Sequence, residues 1–391
     1  MRNLAFVATG YIVDYDGISV YIENLLKNLL LDQSVQNNKL AIDIYISESA
    51  KTFFTQRIFK EGQGKNINIV TVKDQNSIIK IVDLQLKLLF SRKYDVVFIP
   101  NPMPLLSSSG KRVKVIHDLT IKQTPELFSS SLHRYIDFLI WYMYCFDDAV
   151  GYISNQTKDD IKNFYQIDQN NKKLLYMPNG IPFKVQNYQR PDMHDIYQKY
   201  TSKSIDFIVV GRINKSKGFD RILLFLNYFE RYLETQDKFS TVTLHIVGKQ
   251  TTETKNILQN ANLKNIMLNF HGYVEDDELN DLYIKSQFCF FLSRNEGYGL
   301  PLVEAMWLRC IPIISDIPIF NEILGTSYPK FSDESGYEKS IKDFIIQIFE
   351  DKDYIETVFE KLENSVSVEK EGYKRASDNL VAYIENRNIA S

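Results

Sequence analysis

SRNEGYGLPLVEAMW, residues 293–307, sets two glutamates eight positions apart on either side of a glycine-rich turn and a proline. A surface helix needs no such arrangement, and a hydrophobic core rejects it. The apolar run Gln287–Leu292 before it predicts a strand, and residues 301–308 after the turn predict a helix. Glu296 then stands at the carboxyl end of a strand, where open α/β sheets gather their ligands. Gly297 and Gly299 permit a tight turn and a close approach of backbone to ligand. Pro301 suits the first turn of a helix, where its missing donor costs nothing. The amides of Gly299, Leu300 and Leu302 would face an anion or hydroxyl at the helix N-terminus. Glu304, about one turn in, looks toward the same place, so two carboxylates could grasp the hydroxyls of one elongated ligand. The competing reading has Glu296 capping the helix locally and Glu304 solvated.

The remainder of the chain supplies the frame. Leu4–Thr9, Leu40–Ile46, Ile67–Val72, Asp95–Ile99 and Val113–His117 read as strands, with helical spacing in residues 19–31 and before Ser91. A second cycle follows the polar stretch Gln186–Ser204: Ile205–Val210, Thr241–Val247, Ile266–Phe270, Gln287–Leu292 and Ile311–Ser315 read as strands. Strands alternating with helices over short connections predict parallel sheets covered on both faces. The fold class expected is α/β, two Rossmann-like domains facing each other across a cleft. Their expected spans are 1–185 and 186–370, with a C-terminal helix in 371–391 crossing back to the first.

Composition narrows the function. The 391 residues are 44% apolar and 24% charged, with a formal charge of -3 from 46 basic and 49 acidic groups. No global field steers such a chain to nucleic acid. Cys145, Cys289 and Cys310 lack metal-ligand spacing and read as reduced thiols, in keeping with a cytoplasmic protein. MRNLAFVATG reads as a first strand and not as a signal peptide, and no apolar run approaches the length of a membrane span. Phe 25 and Tyr 24 stand out, and core filling or an interfacial surface would each account for them.

VVGRINKSKG, residues 209–218, is a strand and a glycine turn followed by Arg212, Lys215 and Lys217. A planar arginine fork and a mobile lysine charge at a strand end can neutralise a diphosphate. It is neither a Walker loop nor the dinucleotide fingerprint. A solvated basic loop is the plainer alternative.

GR-x-x-x-x-KG together with E-G-x-G-L-P-x-x-E-A resembles the large retaining glycosyltransferase family of GT-B fold, family GT4, and its bacterial mannosyl- and rhamnosyl-transferring branch. The resemblance covers almost the whole chain, in the order glycine loop, HD element, NG element at Pro178–Ile181, GR…KG and two-glutamate motif. It implies a nucleotide-sugar donor held mainly by the C-terminal domain and an acceptor held mainly by the N-terminal one. Carried over by position, Arg212 and Lys217 match the diphosphate-binding pair, and Glu304 matches the glutamate on the donor ribose. Glu296 matches the glutamate facing the transferred sugar, with the backbone at Gly299, Leu300 and Pro301 beside sugar and diphosphate. Gly17, in DYDGISVYIENLL, matches the phosphate-side loop of the first domain. Ser19 and Val20 depart from the glycine and arginine often found there. His117, in HDLTIKQTPE, matches the histidine near the donor sugar, although a core histidine bonded to a carbonyl reads equally well from the residues alone. Asp118 would orient its loop. Arg309 stands where the family commonly has glycine.

The resemblance further implies a hexosyl transfer with retention, by front-face attack in which the leaving diphosphate takes the acceptor's proton. GDP-mannose is the first-choice donor, with UDP- or dTDP-sugars or a noncatalytic nucleotide-sugar binder as alternatives. No cofactor and no metal are expected, the DxD spacing of Asp14–Asp16 being a weak signal. The acceptor expected is a lipid-linked or oligosaccharide chain, met at the inner face of the cell membrane. Ile78–Tyr94 and Leu132–Phe146 mix basic, aliphatic and aromatic residues at helical spacing. They read either as interfacial helices giving peripheral membrane contact or as helices packed wholly on the sheet.

Overall fold

The computed structural model describes residues 1–13, 16–59, 66–105, 110–125, 128–166, 174–212, 214–235, 239–249, 261, 263–332 and 337–386. Its contacts divide the chain into two compact units, residues 1–180 with 371–391, and residues 181–370.

The first unit is built on a seven-stranded sheet ordered β3-β2-β1-β4-β5-β6-β7. Its strands are β1 (Arg2–Val7), β2 (Leu40–Ser47), β3 (Ile67–Val72), β4 (Val96–Ile99), β5 (Lys111–Ile116), β6 (Ala149–Tyr152) and β7 (Leu174–Tyr176). Every pairing is parallel. β1 and β4 are fully apolar where they run between neighbours, as strands covered on both faces must be. Strand order reverses between β1 and β4, which makes their carboxyl ends the switch point of this sheet. The C-terminal helix Gly372–Ile384 packs on the helix Gly17–Leu31. Gly372 sits against the Asn179 carbonyl so closely that a Cβ would fall 1.8 Å from that oxygen.

The second unit repeats the plan with six parallel strands ordered β10-β9-β8-β11-β12-β13. They are β8 (Ser204–Val210), β9 (Thr241–Val247), β10 (Met267–Gly272), β11 (Phe288–Phe291), β12 (Ile311–Ser315) and β13 (Lys330–Phe331). The switch point here lies between β8 and β11. Phenylalanine accounts for much of this core: Phe207 stacks on Phe290 with centroids 5.2 Å apart, and Phe225 meets Phe290 edge-on at 5.1 Å.

Other aromatics lie on the surface. The helix Ser130–Phe146 buries Leu139, Ile140, Tyr142 and Met143 against the sheet but exposes Tyr135, Phe138, Trp141 and Phe146. The helix Ser77–Leu89 buries Leu84 and Leu88 and exposes Ile78, Val82, Leu86 and Leu89. Neither helix is consumed wholly by packing. The polar stretch Gln186–Ser204 also carries more structure than its composition promises, in the helix Met193–Tyr200, and the helix Phe183–Gln186 leads into it. No helix among the described residues is long and apolar enough to cross a membrane.

Candidate functional site

In the second unit the switch point joins two of the motifs. The loop after β8 carries Arg212 and Lys217, and the loop after β11 carries Glu296. Gly218 has φ +71°, and a Cβ there would lie 1.8 Å from the Leu292 carbonyl oxygen, so only glycine lets the two loops touch. Lys217 Nζ then lies 2.6 Å from Glu296 Oε1, which also accepts from Ser293 Oγ at 2.8 Å. The backbone amide of Lys217 donates to Asn214 Oδ1. Arg212 is exposed and makes no ion pair among the described residues; Ile213 beside it lies outside them.

Other side chains hold this arrangement, and no motif announces them. Arg294 forms a two-pronged bond to Asp220 at 2.8 and 2.7 Å, while its own amide donates to the Ser216 carbonyl. Burial disfavours the Asp220 charge, but the Arg294 fork outweighs it and holds the carboxyl below its ordinary range. The buried Arg221 guanidinium donates to the carbonyls of Leu292 and Ser293 at 3.2 and 3.4 Å.

The turn leads into the helix Leu300–Trp307, with Pro301 in its first turn and Gly299 before it at φ +96°. Leu302 departs from expectation: its amide donates to the Gly299 carbonyl at 2.9 Å and is therefore spent. The amides of Gly299 and Leu300 find no acceptor among the described residues, as is usual at a helix N-terminus. Glu304, 5% exposed, is not solvated. Its carboxylate faces Lys184 at 3.4 Å, and Lys184 also meets Asp276 at 2.8 Å. Burial pushes the Glu304 carboxyl's pKa up, and Lys184 pulls against that shift. Glu296 thus pairs with Lys217 and Ser293 and does not cap the helix, and Glu304 points inward.

Arg309 has φ +58°, a conformation that is cheap only for glycine. Its guanidinium lies 2.9 Å from Glu363 and donates to the Pro191 carbonyl, contacts that offset the strain. Arg190 grips the same Glu363 through both of its terminal nitrogens.

In the first unit, Gly17 is the exposed first residue of its helix. Asp16 caps that helix by accepting from the Ser19 amide and hydroxyl, each at 2.9 Å. Ser19 Oγ also accepts from the Ile12 amide at 3.0 Å, so this departure ties down the loop. Asp14 and Tyr15 lie outside the described residues. His117 follows β5 directly. Its Nε2 donates to the Pro100 carbonyl at 2.6 Å, and its ring stands edge-on to Tyr21 at 4.8 Å. Burial is the largest influence and lowers the imidazole's pKa, with the Pro100 bond opposing, so the ring is neutral at neutral pH. With Nε2 as donor, Nδ1 carries the lone pair. Asp118 accepts the Thr120 amide at 2.9 Å and shapes the loop. Beside it a cavity of about 240 Å³ opens, lined by Pro102, Ile116, Phe128, Leu132 and Leu139 with Asp118 and Thr120 at one side. No group of three or more His, Cys, Asp or Glu side chains among the described residues is placed to hold a metal ion.

Residues 191–370 match the sequence profile of the family Glycosyl transferases group 1. The serotype-specific mannosyltransferase WbdA of Escherichia coli is 27% identical over 246 residues, 59% of this chain but 29% of WbdA. The chain therefore spans less than a third of that relative's length. The O-antigen chain mannosyltransferase RfbU of Salmonella typhimurium is 24% identical over 261 residues, 66% of this chain and 67% of RfbU. Among solved structures, Anabaena Alr3699/HepE in complex with UDP and glucose superimposes with a TM-score of 0.66 at 14% identity, over 99% of this chain and 100% of that one. The chain has the GT-B fold of two Rossmann-like units.

Proposed function

We propose that the protein is a retaining glycosyltransferase that moves a hexosyl group from a nucleoside diphosphate sugar to a hydroxyl of a lipid-linked or surface-glycan acceptor. The observation that carries this reading is the contact of Lys217 with Glu296 at the carboxyl end of a doubly wound sheet. The lysine supplies charge for a diphosphate and the glutamate an acceptor for sugar hydroxyls, within one hydrogen bond of each other. Arg212 and Lys217 stabilise the charge that develops on the leaving oxygen, the usual large term in such catalysis. Glu296 binds the transferred sugar and Glu304 the ribose. His117, neutral and with Nδ1 as acceptor, takes a hydroxyl of the sugar. The departing diphosphate takes the acceptor's proton.

The donor's base has two supported readings. The solved relative holding UDP and glucose supports a UDP-linked hexose, which we place first. The mannosyltransferase relatives support GDP-mannose. A thermal-shift panel of UDP, GDP, dTDP and ADP sugars separates them, because a ligand that binds only the folded protein raises its melting temperature. Transfer from a radiolabelled donor tests the reaction itself. A donor that binds and is neither transferred nor hydrolysed would replace the enzyme by a nucleotide-sugar-binding protein.

A lipid-linked acceptor is supported by the exposed aromatic face of Ser130–Phe146. That face continues through Leu132 to the apolar cavity beside Asp118. Tyr135, Phe138 and Trp141 are side chains that favour the membrane–water interface. We propose reversible, peripheral contact with the bilayer through this helix. Flotation with liposomes, with and without anionic lipid at moderate salt, tests it, and recovery in the soluble fraction under every condition overturns it.

A further inference from the structure

The second unit contains another lysine–carboxylate contact, made by a lysine that belongs to none of the motifs. Lys184 lies on the four-residue helix Phe183–Gln186, and its ammonium sits 2.8 Å from Asp276 Oδ1 and 3.4 Å from Glu304 Oε1. Asp276 is the first residue of the helix Asp276–Lys285, so three separate elements converge on one ammonium. Among the described residues Lys184 is the sole ion-pair partner of the almost fully buried Glu304.

We propose that Lys184, anchored by Asp276, is a positioning residue that keeps Glu304 ionised and aimed, and thereby sets the protein's preference for ribose over deoxyribose. This rests on the reading of Glu304 as the ribose-binding carboxylate. A carboxyl group buried alone takes up a proton, because the interior does not solvate its charge. As a neutral acid it is a weak acceptor for two neighbouring hydroxyls. As a carboxylate it accepts charge-assisted bonds from them, which are shorter and stronger. Lys184, the one cation within ion-pair reach among the described residues, decides between these forms. Lys184 engages Oε1, leaving Oε2 for the ligand.

Among the described residues the surroundings offer no substitute. Tyr283, on the helix that begins at Asp276, and Cys289, on β11, both feel the Glu304 charge; burial holds each well above its ordinary range and so neutral. Cys310 lies beyond Cys289. Asp276 itself opposes ionisation of Glu304 slightly, so its contribution is to fix the ammonium in place. Burial works against the Lys184 charge, but Glu304 and Asp276 more than offset it and hold the ammonium above its ordinary pKa. Lys184 therefore stays charged across the working range.

The sign of the pH effect follows. Glu304 has a raised pKa, so its ionised form, and the ribose contact with it, is lost as pH falls through that value. Removing Lys184 raises the value further, because an opposite charge at this range favours the ionised carboxylate. The test is titration calorimetry from pH 5 to 9 with the best-binding nucleoside diphosphate and its 2′-deoxy counterpart, on wild type, Lys184→Met and Lys184→Arg. Wild type should prefer the ribonucleotide about tenfold or more, as expected for a bond to a charged group. Lys184→Met should lose most of that preference at pH 7 and regain it only at higher pH, and Lys184→Arg should retain it. Should the methionine variant fail to fold, Lys184→Gln keeps a hydrogen-bond donor without the charge and reads the same quantity. A charge-free variant with the wild-type preference and pH midpoint, whatever its melting temperature, overturns the role of Lys184 alone. Equal binding of ribo- and deoxyribonucleotide by wild type overturns the Glu304 reading, and this inference with it.

Discussion

Two lysine–glutamate pairs flank the N-terminus of one helix and behave oppositely. Lys217–Glu296 is short, 2.6 Å, and its side chains are 40% and 14% exposed. Lys184–Glu304 is longer, 3.4 Å, and its side chains are 16% and 6% exposed. The shorter contact is the more expendable. A half-exposed lysine exchanges its partner for water or for a ligand phosphate at little cost, since exposed pairs contribute about 0–1 kcal/mol. The buried pair has no such alternative, because breaking it strands a charge in the interior. On the proposed function, one pair would open when a donor arrives and the other would stay shut.

The comparison breaks most visibly at the buried pair. Lys184→Met should cost about 3 kcal/mol of folding stability, the scale for removing one partner of a buried ion pair. Urea unfolding measures it, and a loss below about 1 kcal/mol would make the two pairs equivalent. Next comes Lys217→Ala, whose stability should stay within about 0.5 kcal/mol while turnover falls about a hundredfold or more, the range for losing an electrostatic donor. Unchanged turnover in the folded variant would remove Lys217 from the reaction.

Arg309–Glu363, with side chains 15% and 33% exposed, lies between the two extremes. Arg309→Ala should cost about 2 kcal/mol, through lost charged hydrogen bonds with the backbone strain kept. Arg309→Gly should cost about 1 kcal/mol less, because glycine relieves a positive φ. Equal losses in the two variants would show that the left-handed conformation is not stored strain. The smallest effect is ionic. Raising salt from 0.1 to 1 M should weaken the Lys217 contact by a few tenths of a kcal/mol and leave the Lys184 contact nearly untouched. Double-mutant cycles at the two salt concentrations would measure both.

These pairs also mark how far the residues could be read without coordinates. Alternation of apolar runs and helical stripes points to parallel α/β sheets because buried parallel strands must be apolar along their length. Boundaries were less legible. The first strand, expected at Leu4–Thr9, spans Arg2–Val7, since pairing with β2 begins two residues earlier. The stretch 186–204 looked like a polar connection. It is held by Arg190 Nε on the Trp307 carbonyl and, from the helix Met193–Tyr200, by Lys199 on the Ser286 carbonyl, partners about a hundred residues away. Local composition carries no trace of such contacts.

The spacing of Glu296, Gly299, Pro301 and Glu304, and of Arg212 and Lys217, is a property of the chain alone. It follows from what a strand end, a tight turn and a helix N-terminus demand of consecutive residues. That Lys217 meets Glu296 depended on strand order, which places β11 beside β8 and so brings two loops together at the switch point. That Arg294, Arg221 and Lys184 support those groups depended on which buried charges the fold brings within a few ångströms of one another. Periodicity reports which face of an element is buried. Only the packed structure decides which charge faces which.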